Sequence, residues 1–444
     1  MKKVRVLLGA MALAASAAPV DRFGIFEAEF QAAAAPPNPY RSITAAAVLT
    51  RPDGGQWRIP LFWDGGRTWK FRVSPDLAGR WSYRIESDDA ALRKAQGRFD
   101  VRESSKKGGL RPMPSAPAHF ARQNGERVWF LADTAWGYFT DSPEDNHYRE
   151  QAEHYARVRA SQGFNAIHCM LLSEQGVGNS AGLPFTAIDK EEINPAYWQE
   201  VDRRLEFANQ QGLTVGLAVA WADKGRKENF PWRRFPDLEA RKRYARYAAA
   251  RYSAYDVYFL VSGEWHGEIR TRENADAEAI FREFIEIGEA LDEAEPHGRM
   301  IGIHPMIQHG SVREFHRAKW MSFADYQQNY HQLHDRALVS RFLPGPVVNS
   351  EYGYLLRDAD GNGIPDKDNS YSTEDMRYSS WDIAMAGAYF VTGFGTTYFA
   401  GHRDPGPFDV DAAKNDDWEL QCGHIRKFFE SFDYTRVTPA DGLL

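Results

Sequence analysis

Two glutamates in this sequence each follow a short apolar run, as a residue does at the end of a buried strand. Glu264 comes after Val257–Val261, and Glu351 comes shortly after "GPVV". Hydrolysis of a glycosidic bond needs two carboxyl groups that flank it. One protonates the leaving oxygen, and the other attacks the anomeric carbon or activates water. Because Trp265 beside Glu264 would exclude water and favour the protonated acid, the pair predicts Glu264 as acid/base and Glu351 as nucleophile of a retaining displacement.

Further polar and aromatic side chains stand at other predicted strand ends. They are imidazoles, indoles, phenols, an amide and an acid, a mixture that suits a sugar better than a phosphate or a hydride donor. Trp and Tyr offer stiff, amphipathic surfaces, and the chain contains 13 Trp. The candidate substrate-binding residues are Asp133, Trp136, Trp221, Trp265, His266, His304, Gln327, Tyr330, His331 and Tyr352.

The elements that must position these residues are strands alternating with helices from Val128 onward. The pattern gives eight strands, with a last helix read over "SSWDIAMAGAYFVTGF" (379–394) and strand eight over "TTYFA" (396–400). Such alternation predicts an α/β fold, the (β/α)8 TIM barrel, whose active site lies at the carboxyl ends of the strands. Strands four and seven, which carry the two acids, face each other there. An open doubly wound sheet is the alternative, but no Gly-rich nucleotide-binding turn follows strand one.

The residues before the barrel divide into three segments. Residues 1–18 have a basic start, an apolar stretch and small residues at the end, which predicts a secretory signal peptide and an exported protein, periplasmic or secreted. Residues 19–103 alternate apolar and polar around turns such as Asp64-Gly65-Gly66, which predicts a small all-β, immunoglobulin-like sandwich. Residues 104–118 are rich in Ser, Lys, Gly and Pro and predict a linker. The barrel is expected over 119–444.

Composition limits the classes of binding partner and cofactor that this chain is expected to have. The net charge is -7 and no long basic run occurs, so nucleic acid is not an expected partner. After signal cleavage no segment is apolar and long enough to anchor the chain in a membrane. The two cysteines, Cys169 and Cys422, form no disulfide framework or zinc pattern. We therefore expect an oligo- or polysaccharide partner and no required cofactor.

Several longer motifs resemble those of exported bacterial glycoside hydrolases of the apiosidase-like type. These proteins pair an N-terminal β domain (domain of unknown function 5060) with a barrel of the domain-of-unknown-function 4038 type. The motifs are "NPY" (38–40), "FWDGGRTWKFRVSPDLAGRWSY" (62–83), "FLADTAWGYF" (130–139) and "GFNAIHCMLL" (163–172).

The resemblance implies hydrolysis of a sugar from a complex polysaccharide, with "SGEWHGE" and "NSEYGY" at the positions of the family's two acids. Two residues depart from the family pattern. Gly263 stands where related barrels often carry Asn, and Glu264 stands where nearer relatives often carry Asp. The family's sugar preference is therefore not carried over.

One acidic loop follows strand seven. "DADGNGIPDKDN" (358–369) places hard oxygen ligands at nearly alternate positions, as calcium loops do, although it lacks the final Glu of an EF-hand. It predicts a structural calcium site. The alternative is a polar loop that binds no ion. The candidate ligands are Asp358, Asp360, Asn362 and Asp366.

Two other functions stay open on the sequence alone. A barrel with a degenerate site would bind carbohydrate without cleaving it. A polysaccharide lyase would use Tyr330 or His331 as the base against a uronate and would form an unsaturated product.

Overall fold

The structure is a computed structural model that describes most of the chain. The described residues are 4–7, 18–143, 147–173, 176–222, 231–271, 276–329, 331–341, 345–355, 370–393 and 413–443.

The N-terminal domain is a sandwich of two β-sheets with strand orders β1-β3-β7-β6 and β2-β9-β8-β4-β5. Its elements are β1 (Val4–Leu7), β2 (Val20–Asp21), β3 (Phe26–Gln31), α1 (Pro39–Ser42), β4 (Ala45–Thr50), β5 (Gln56–Pro60), β6 (Phe62–Trp63), β7 (Thr68–Val73), β8 (Gly79–Ser87) and β9 (Gln96–Arg102). Alternation along β8 buries Trp81, Tyr83 and Ile85 between the sheets. β1 lies inside the predicted signal peptide and pairs in parallel with β3, so a cleaved chain would lack this strand.

A small antiparallel sheet connects the sandwich to the barrel. Its strands are β10 (Leu110–Met113), β11 (Ala116–Arg122) and β12 (Arg127–Val128). The predicted linker over 104–118 therefore holds one whole strand and the start of the next. Pro112, which suggested an unstructured segment, is tolerated because the register shifts between it and Met113.

The second domain alternates strands and helices. Its strands are β13 (Leu131–Thr134), β14 (Ala166–Met170), β15 (Phe185–Ala187), β16 (Glu192–Ile193), β17 (Thr214–Ala218), β18 (Val257–Leu260), β19 (Ile301–Gly302), β20 (His309–Gly310), β21 (Ala324–Gln327), β22 (Val347–Asn349), β23 (Tyr354–Leu355), β24 (Ser370–Tyr371) and β25 (Tyr389–Thr392). Its helices are α2 (Arg149–Ser161), α3 (Pro195–Gln210), α4 (Leu238–Tyr252), α5 (His266–Thr271), α6 (Ala277–Glu293), α7 (Val312–Phe315), α8 (Leu333–Ser340), α9 (Thr373–Met385) and α10 (Ala413–Glu430).

Eight parallel strands of the described chain form a TIM barrel, as the sequence predicts. Their order is β19-β18-β17-β14-β13-β25-β22-β21, with the short β20 antiparallel on the edge of β21. The ring closes between β19 and the residues before β21 through a parallel bridge from Ile301 to Met321. Ser322 N–H also donates to Ile301 O at 2.9 Å. Closure brings the carboxyl ends of all eight strands to one mouth.

The eighth barrel strand lies earlier than the sequence pattern suggests. Helix α9 ends at Met385, and Gly387 then adopts a φ of +75°. A left-handed glycine at this position ends a helix, and the aromatic and β-branched residues after it favour a strand. The second half of the helix predicted over 379–394 is therefore wrong, because it contains β25. The strand predicted over 396–400 lies outside the described residues.

A buried cluster of charges joins the two domains. Asp202 on α3 receives two hydrogen bonds from Arg72 on β7 and two from Arg251 on α4, at 2.6 to 3.1 Å. Arg72 also donates to Glu27 at 2.6 Å, and Arg251 pairs with Asp64 at 2.9 Å. Both guanidinium side chains are buried. Since each charge has a partner of opposite sign, the sandwich is fixed on α3 and α4.

Two smaller findings concern expectations from composition. Cys169 and Cys422 are both buried, and they form no disulfide bond with each other. None of the helices in the described part of the chain combines the length and apolarity needed to cross a membrane.

Candidate active site

Glu264 lies just beyond β18, where hydrogen bonds from both neighbouring strands hold its backbone. On one side Ala222 N–H donates to Gly263 O at 3.0 Å, and on the other Glu264 N–H donates to His304 O at 2.9 Å. Glu264 is buried and has a φ of +46°. A non-glycine residue in this left-handed region costs about 1–2 kcal/mol. Such strain persists where the surroundings fix the backbone and is common at functional sites.

The glycine before this acid is explained by the neighbouring strand. A Cβ atom on Gly263 would lie 2.0 Å from Cε3 of Trp221. Trp221 stands at the end of the third barrel strand and forms a parallel bridge with Gly263. The indole therefore occupies the volume that a side chain at 263 would need, which accounts for the absence of the Asn expected from the family resemblance.

Glu351 and Glu264 meet at the mouth of the barrel around His304. One carboxylate oxygen of each glutamate and one ring nitrogen of His304 all lie within 4.8 Å of one another. His304 Nε2 is 3.3 Å from Glu351 Oε2. The imidazole is fully buried, whereas the side chain of Glu351 is 12% exposed. The two acids that the sequence pairs are thus close enough to act on one bond, with an imidazole beside them.

The charges around His304 favour its protonated form. Burial lowers the pKa of His304, but Glu351, Asp325 and Glu264 raise it, and the net direction is upward. Burial raises the pKa of Asp325 to about 7, although His304 and Ser350 act to lower it. Because the two groups lie close together and each shifts the pKa of the other, they share a proton as one coupled unit.

Two predicted tryptophans line the same group. Trp136 and Trp221 pack edge to face with ring centroids 4.9 Å apart. Their rings lie 5.6 and 5.4 Å from the ring of His304. Both indoles are nearly covered by protein, and Trp136 Nε1–H donates to the hydroxyl of Tyr354 at 3.3 Å. They form the apolar wall of the site and restrict access of water to His304.

His266 follows the candidate acid/base at the start of α5. Met306 N–H donates to His266 Nδ1 at 3.3 Å, so the ring proton of the neutral imidazole is on Nε2. Burial, with His309 and His304 nearby, lowers the pKa of His266 to about 2. The buried Nε2 has no hydrogen-bond partner among the described residues. A fixed, neutral donor of this kind suits a sugar hydroxyl.

Three predicted substrate-binding residues point away from the mouth. Asp133 is fully buried against α2, where it accepts hydrogen bonds from Tyr155 and Arg159, because alternation along β13 turns it outward. Trp265 packs on Phe281 and Phe315 in the helical layer. Tyr352 is fully buried and bonds Ser380 at 2.6 Å. We correct all three interpretations: these side chains stabilise the barrel wall.

The remaining predicted residues are placed as follows. Gln327, at the end of β21, is buried two residues after Asp325 on the same face of the strand. His331 is exposed on the loop after it. Tyr330 lies outside the described residues. The acidic loop with Asp358, Asp360, Asn362 and Asp366 also lies outside them, so calcium binding there stays a prediction.

The structure adds residues that the sequence did not single out. Ser350 lies between His304 and Asp325, with its Oγ 2.7 Å from His304 Nδ1. His168 on β14 lies in the barrel interior beside Trp136. The signal for Ser350 was its place directly before Glu351. For His168 the only signal in the sequence was its position in the alternation of strand β14.

The same three donors could be considered for a metal ion, since their spacing is compatible with one. A ligand histidine must be neutral and its carboxylate partners deprotonated. The carboxylates around His304 instead favour a protonated imidazole. Without a metal ion, the site is therefore arranged for proton transfer.

The sequence comparisons agree with this geometry. The profile of the apiosidase-like catalytic domain matches residues 116–436. The chain belongs to the apiosidase-like family. The profile of the domain of unknown function DUF5060 matches residues 19–88, within the N-terminal sandwich. The family places this chain among the glycoside hydrolases, as its motifs indicate. No curated protein matches the chain.

Solved structures with low sequence identity share the fold. A Bacteroides vulgatus protein described as a glycoside hydrolase superposes with a TM-score of 0.73 at 19% identity, over 93% of this chain and 78% of that one. A glycoside hydrolase family 5 structure from the same organism gives a TM-score of 0.59 at 16% identity, over 76% of this chain and 75% of that one. The α/β barrel with a preceding β domain is thus shared with glycoside hydrolases.

Proposed function

We propose that this glycoside hydrolase cleaves its substrate by a retaining double displacement. Glu351 is the nucleophile and Glu264 the acid/base. The observation that carries the proposal is the convergence of the two carboxylates, with oxygens within 4.8 Å of each other across the mouth. Carboxyl groups of retaining enzymes lie about 5–5.5 Å apart, whereas inverting enzymes need roughly 6.5–9.5 Å to admit water between them. The nearest oxygens of the two acids lie within 4.8 Å of each other, and this proximity favours retention over a gap wide enough to admit water.

In the first step, a Glu351 oxygen bonds to the anomeric carbon while the bond to the leaving oxygen breaks. Glu264 gives its proton to that oxygen. In the second step, Glu264 takes a proton from water, the water oxygen bonds to the anomeric carbon, and the ester to Glu351 breaks. The anomeric configuration is inverted twice and so retained. His304 Nε2 faces Glu351 Oε2 at 3.3 Å as an ion-pair partner, and Trp136 and Trp221 exclude bulk water.

The substrate we propose is a complex polysaccharide. The buried neutral donor of His266 and the indole wall support a carbohydrate over a charged small molecule. The composition of residues 1–18 supports export of the chain to the periplasm or medium, where such polymers are found. We also propose that the acidic loop over 358–369, which follows strand seven in the sequence, binds a structural calcium ion.

The experiment that tests the chemistry compares Glu264→Ala and Glu351→Gln with wild type on plant, algal and bacterial polysaccharides and on a panel of aryl glycosides. Removing the nucleophile should lower kcat/KM by several orders of magnitude on every substrate that wild type cleaves. On 2,4-dinitrophenyl glycosides Glu264→Ala should retain kcat/KM, since that leaving group needs no proton, while kcat falls because the ester is then hydrolysed without a base. On polysaccharide kcat/KM should be lost.

Glu314→Gln is the matched control, because it neutralises a half-buried acid on α7 that is not among the charged groups acting on His304. Proton NMR of the first product identifies the anomer. Near-normal activity of Glu351→Gln, or release of the inverted anomer, would contradict the assignment. Binding of glycan by wild type without any product would favour a binding protein.

A further inference from the structure

A continuous line of polar groups runs from Glu351 into the barrel interior. Glu351 Oε2 lies 3.3 Å from His304 Nε2, and His304 Nδ1 lies 2.7 Å from Ser350 Oγ. Ser350 Oγ–H donates to Asp325 Oδ1 in a short hydrogen bond. His304, Ser350 and Asp325 are all fully buried. The displacement described above gives no role to Ser350 or Asp325.

We propose that Asp325 and Ser350 form, together with His304, a proton relay behind the nucleophile that adjusts to the loss and return of charge on Glu351. This proposal rests on the proposed function, since Glu351 changes charge only if it forms a glycosyl ester. Asp325 and Ser350 are positioning residues in this scheme, because they touch neither the substrate nor the reacting atoms.

The geometry allows two arrangements of the same protons. A serine hydroxyl has one hydrogen, so Ser350 donates in only one direction at a time. When it donates to Asp325, it accepts from Nδ1–H of a protonated His304, and Asp325 is ionised. When it donates to His304 Nδ1, it accepts from a protonated Asp325, and both partners are neutral. In both arrangements His304 keeps its Nε2–H toward Glu351.

The relay balances the charge of each step. Before attack, ionised Glu351 faces a protonated His304 with ionised Asp325 behind it. When Glu351 becomes an ester, its negative charge is gone, and the charge that appears on Glu264 in the same step acts on His304 less strongly. The Nδ1 proton of His304 then moves to Ser350 Oγ, and the Ser350 proton moves to Asp325 Oδ1. One N–H and one O–H bond break, and two O–H bonds form, with no net gain of protons. Hydrolysis of the ester reverses both transfers.

The surroundings explain why such a relay is needed. The titratable groups facing His304 are Glu351, Glu264, Asp325, His168 and His266, and Tyr258 faces Asp325. Trp136 and Trp221 cover the imidazole. A buried charge without a partner is strongly unfavourable. Without a route for its proton, His304 would stay protonated each time the ester forms, although its nearest counter-charge, on Glu351, is then gone.

The test is a double-mutant cycle of Asp325→Asn and Ser350→Ala in the full chain, measured as kcat/KM against pH on the aryl glycoside that wild type cleaves fastest. The asparagine amide can still donate to Ser350, and Ser350 can still donate to His304, but no proton can reach the asparagine. Each single variant should lose activity on the order of 10- to 100-fold, the range seen when an outer partner of a site is removed.

If Asp325 acts through Ser350, the double variant should be no worse than the poorer single variant. The acid limb of the pH profile should move up by about one pH unit in all three variants, because Glu351 then faces a neutral imidazole. Losses that multiply in the double variant, or an acid limb that does not move, would overturn the proposal. If Ser350→Ala does not fold, the shift of the acid limb in Asp325→Asn alone tests the proposal.

Ser380→Ala is the matched control, since it also removes a buried hydroxyl with a hydrogen-bond partner, outside the relay. Its pH profile should match wild type. The failure of the proposed function is separately visible, because Glu351→Gln would then stay active. Retention of the protonated His304 in Asp325→Asn, measured by 15N NMR without substrate, would also overturn the relay.

Discussion

Replacing Asp202 with Asn should destabilise the protein because it leaves two buried guanidinium groups without their shared counter-charge. Asp202 receives four hydrogen bonds, two each from Arg72 and Arg251. Breaking a buried ion pair on one side costs about 3–5 kcal/mol. Glu27 and Asp64 still face the same guanidinium groups, so we expect the lower end, about 3 kcal/mol in the free energy of unfolding.

The assay is urea unfolding of the full chain, followed by tryptophan fluorescence and far-ultraviolet circular dichroism. Because the cluster joins the two domains, Asp202→Asn should also separate the two optical transitions, which coincide if wild type unfolds as one unit. Asp100→Asn is the control, since its partner Arg80 is exposed on the sandwich surface and a solvated pair contributes little. A loss below about 1 kcal/mol for Asp202→Asn would refute the reasoning on buried pairs.

Two further predictions concern the barrel interior. Burial, with His304 nearby, lowers the pKa of His168 from 6.5 to about 3 in the folded state; its contribution to stability is therefore present above pH 6.5 and lost as the pH falls toward 3. At pH 4.5 the loss is about 2–3 kcal/mol, so His168→Gln should lose correspondingly less stability between pH 7 and 4.5, and parallel curves would contradict this. Glu264→Gly should be more stable than Glu264→Ala by about 1 kcal/mol in the free energy of unfolding, because glycine accepts a φ of +46°. Urea unfolding of both variants measures this difference, and the reverse order would remove the argument for backbone strain.

The sequence predicts the parts of this fold that depend on local pattern. Alternation gives the sandwich strands, and apolar runs give the first seven barrel strands, so the acids at the ends of strands four and seven are brought together by topology. Strand eight was misplaced because the apolar residues on both sides of Gly387 look like one helix. The sequence alone does not show that Gly387 adopts a left-handed conformation, so it does not show that the helix ends there.

Side-chain direction is harder to predict than position. Trp265 is adjacent to Glu264 in sequence, yet the left-handed backbone of Glu264 turns the chain into α5 and sends the indole to the helical layer. Asp133 differs from a lumen residue by a single step of strand alternation. The Asp202 cluster joins residues from both domains, whose pairing depends on docking and leaves no local signal. A role for Ser350 becomes visible only when the fold places it between His304 and Asp325.

The contact between Trp221 and Gly263 also limits how this site could evolve. A side chain at 263 would lie 2.0 Å from the indole, so a mutation there is excluded while Trp221 remains. A lineage that gains a polar side chain at position 263 must first acquire a smaller residue at position 221. The intermediate would then have a cavity beside His304, which Trp221 now covers. The two positions are therefore epistatic, and the order of substitutions between this branch and one with Asn before the acid is fixed by sterics.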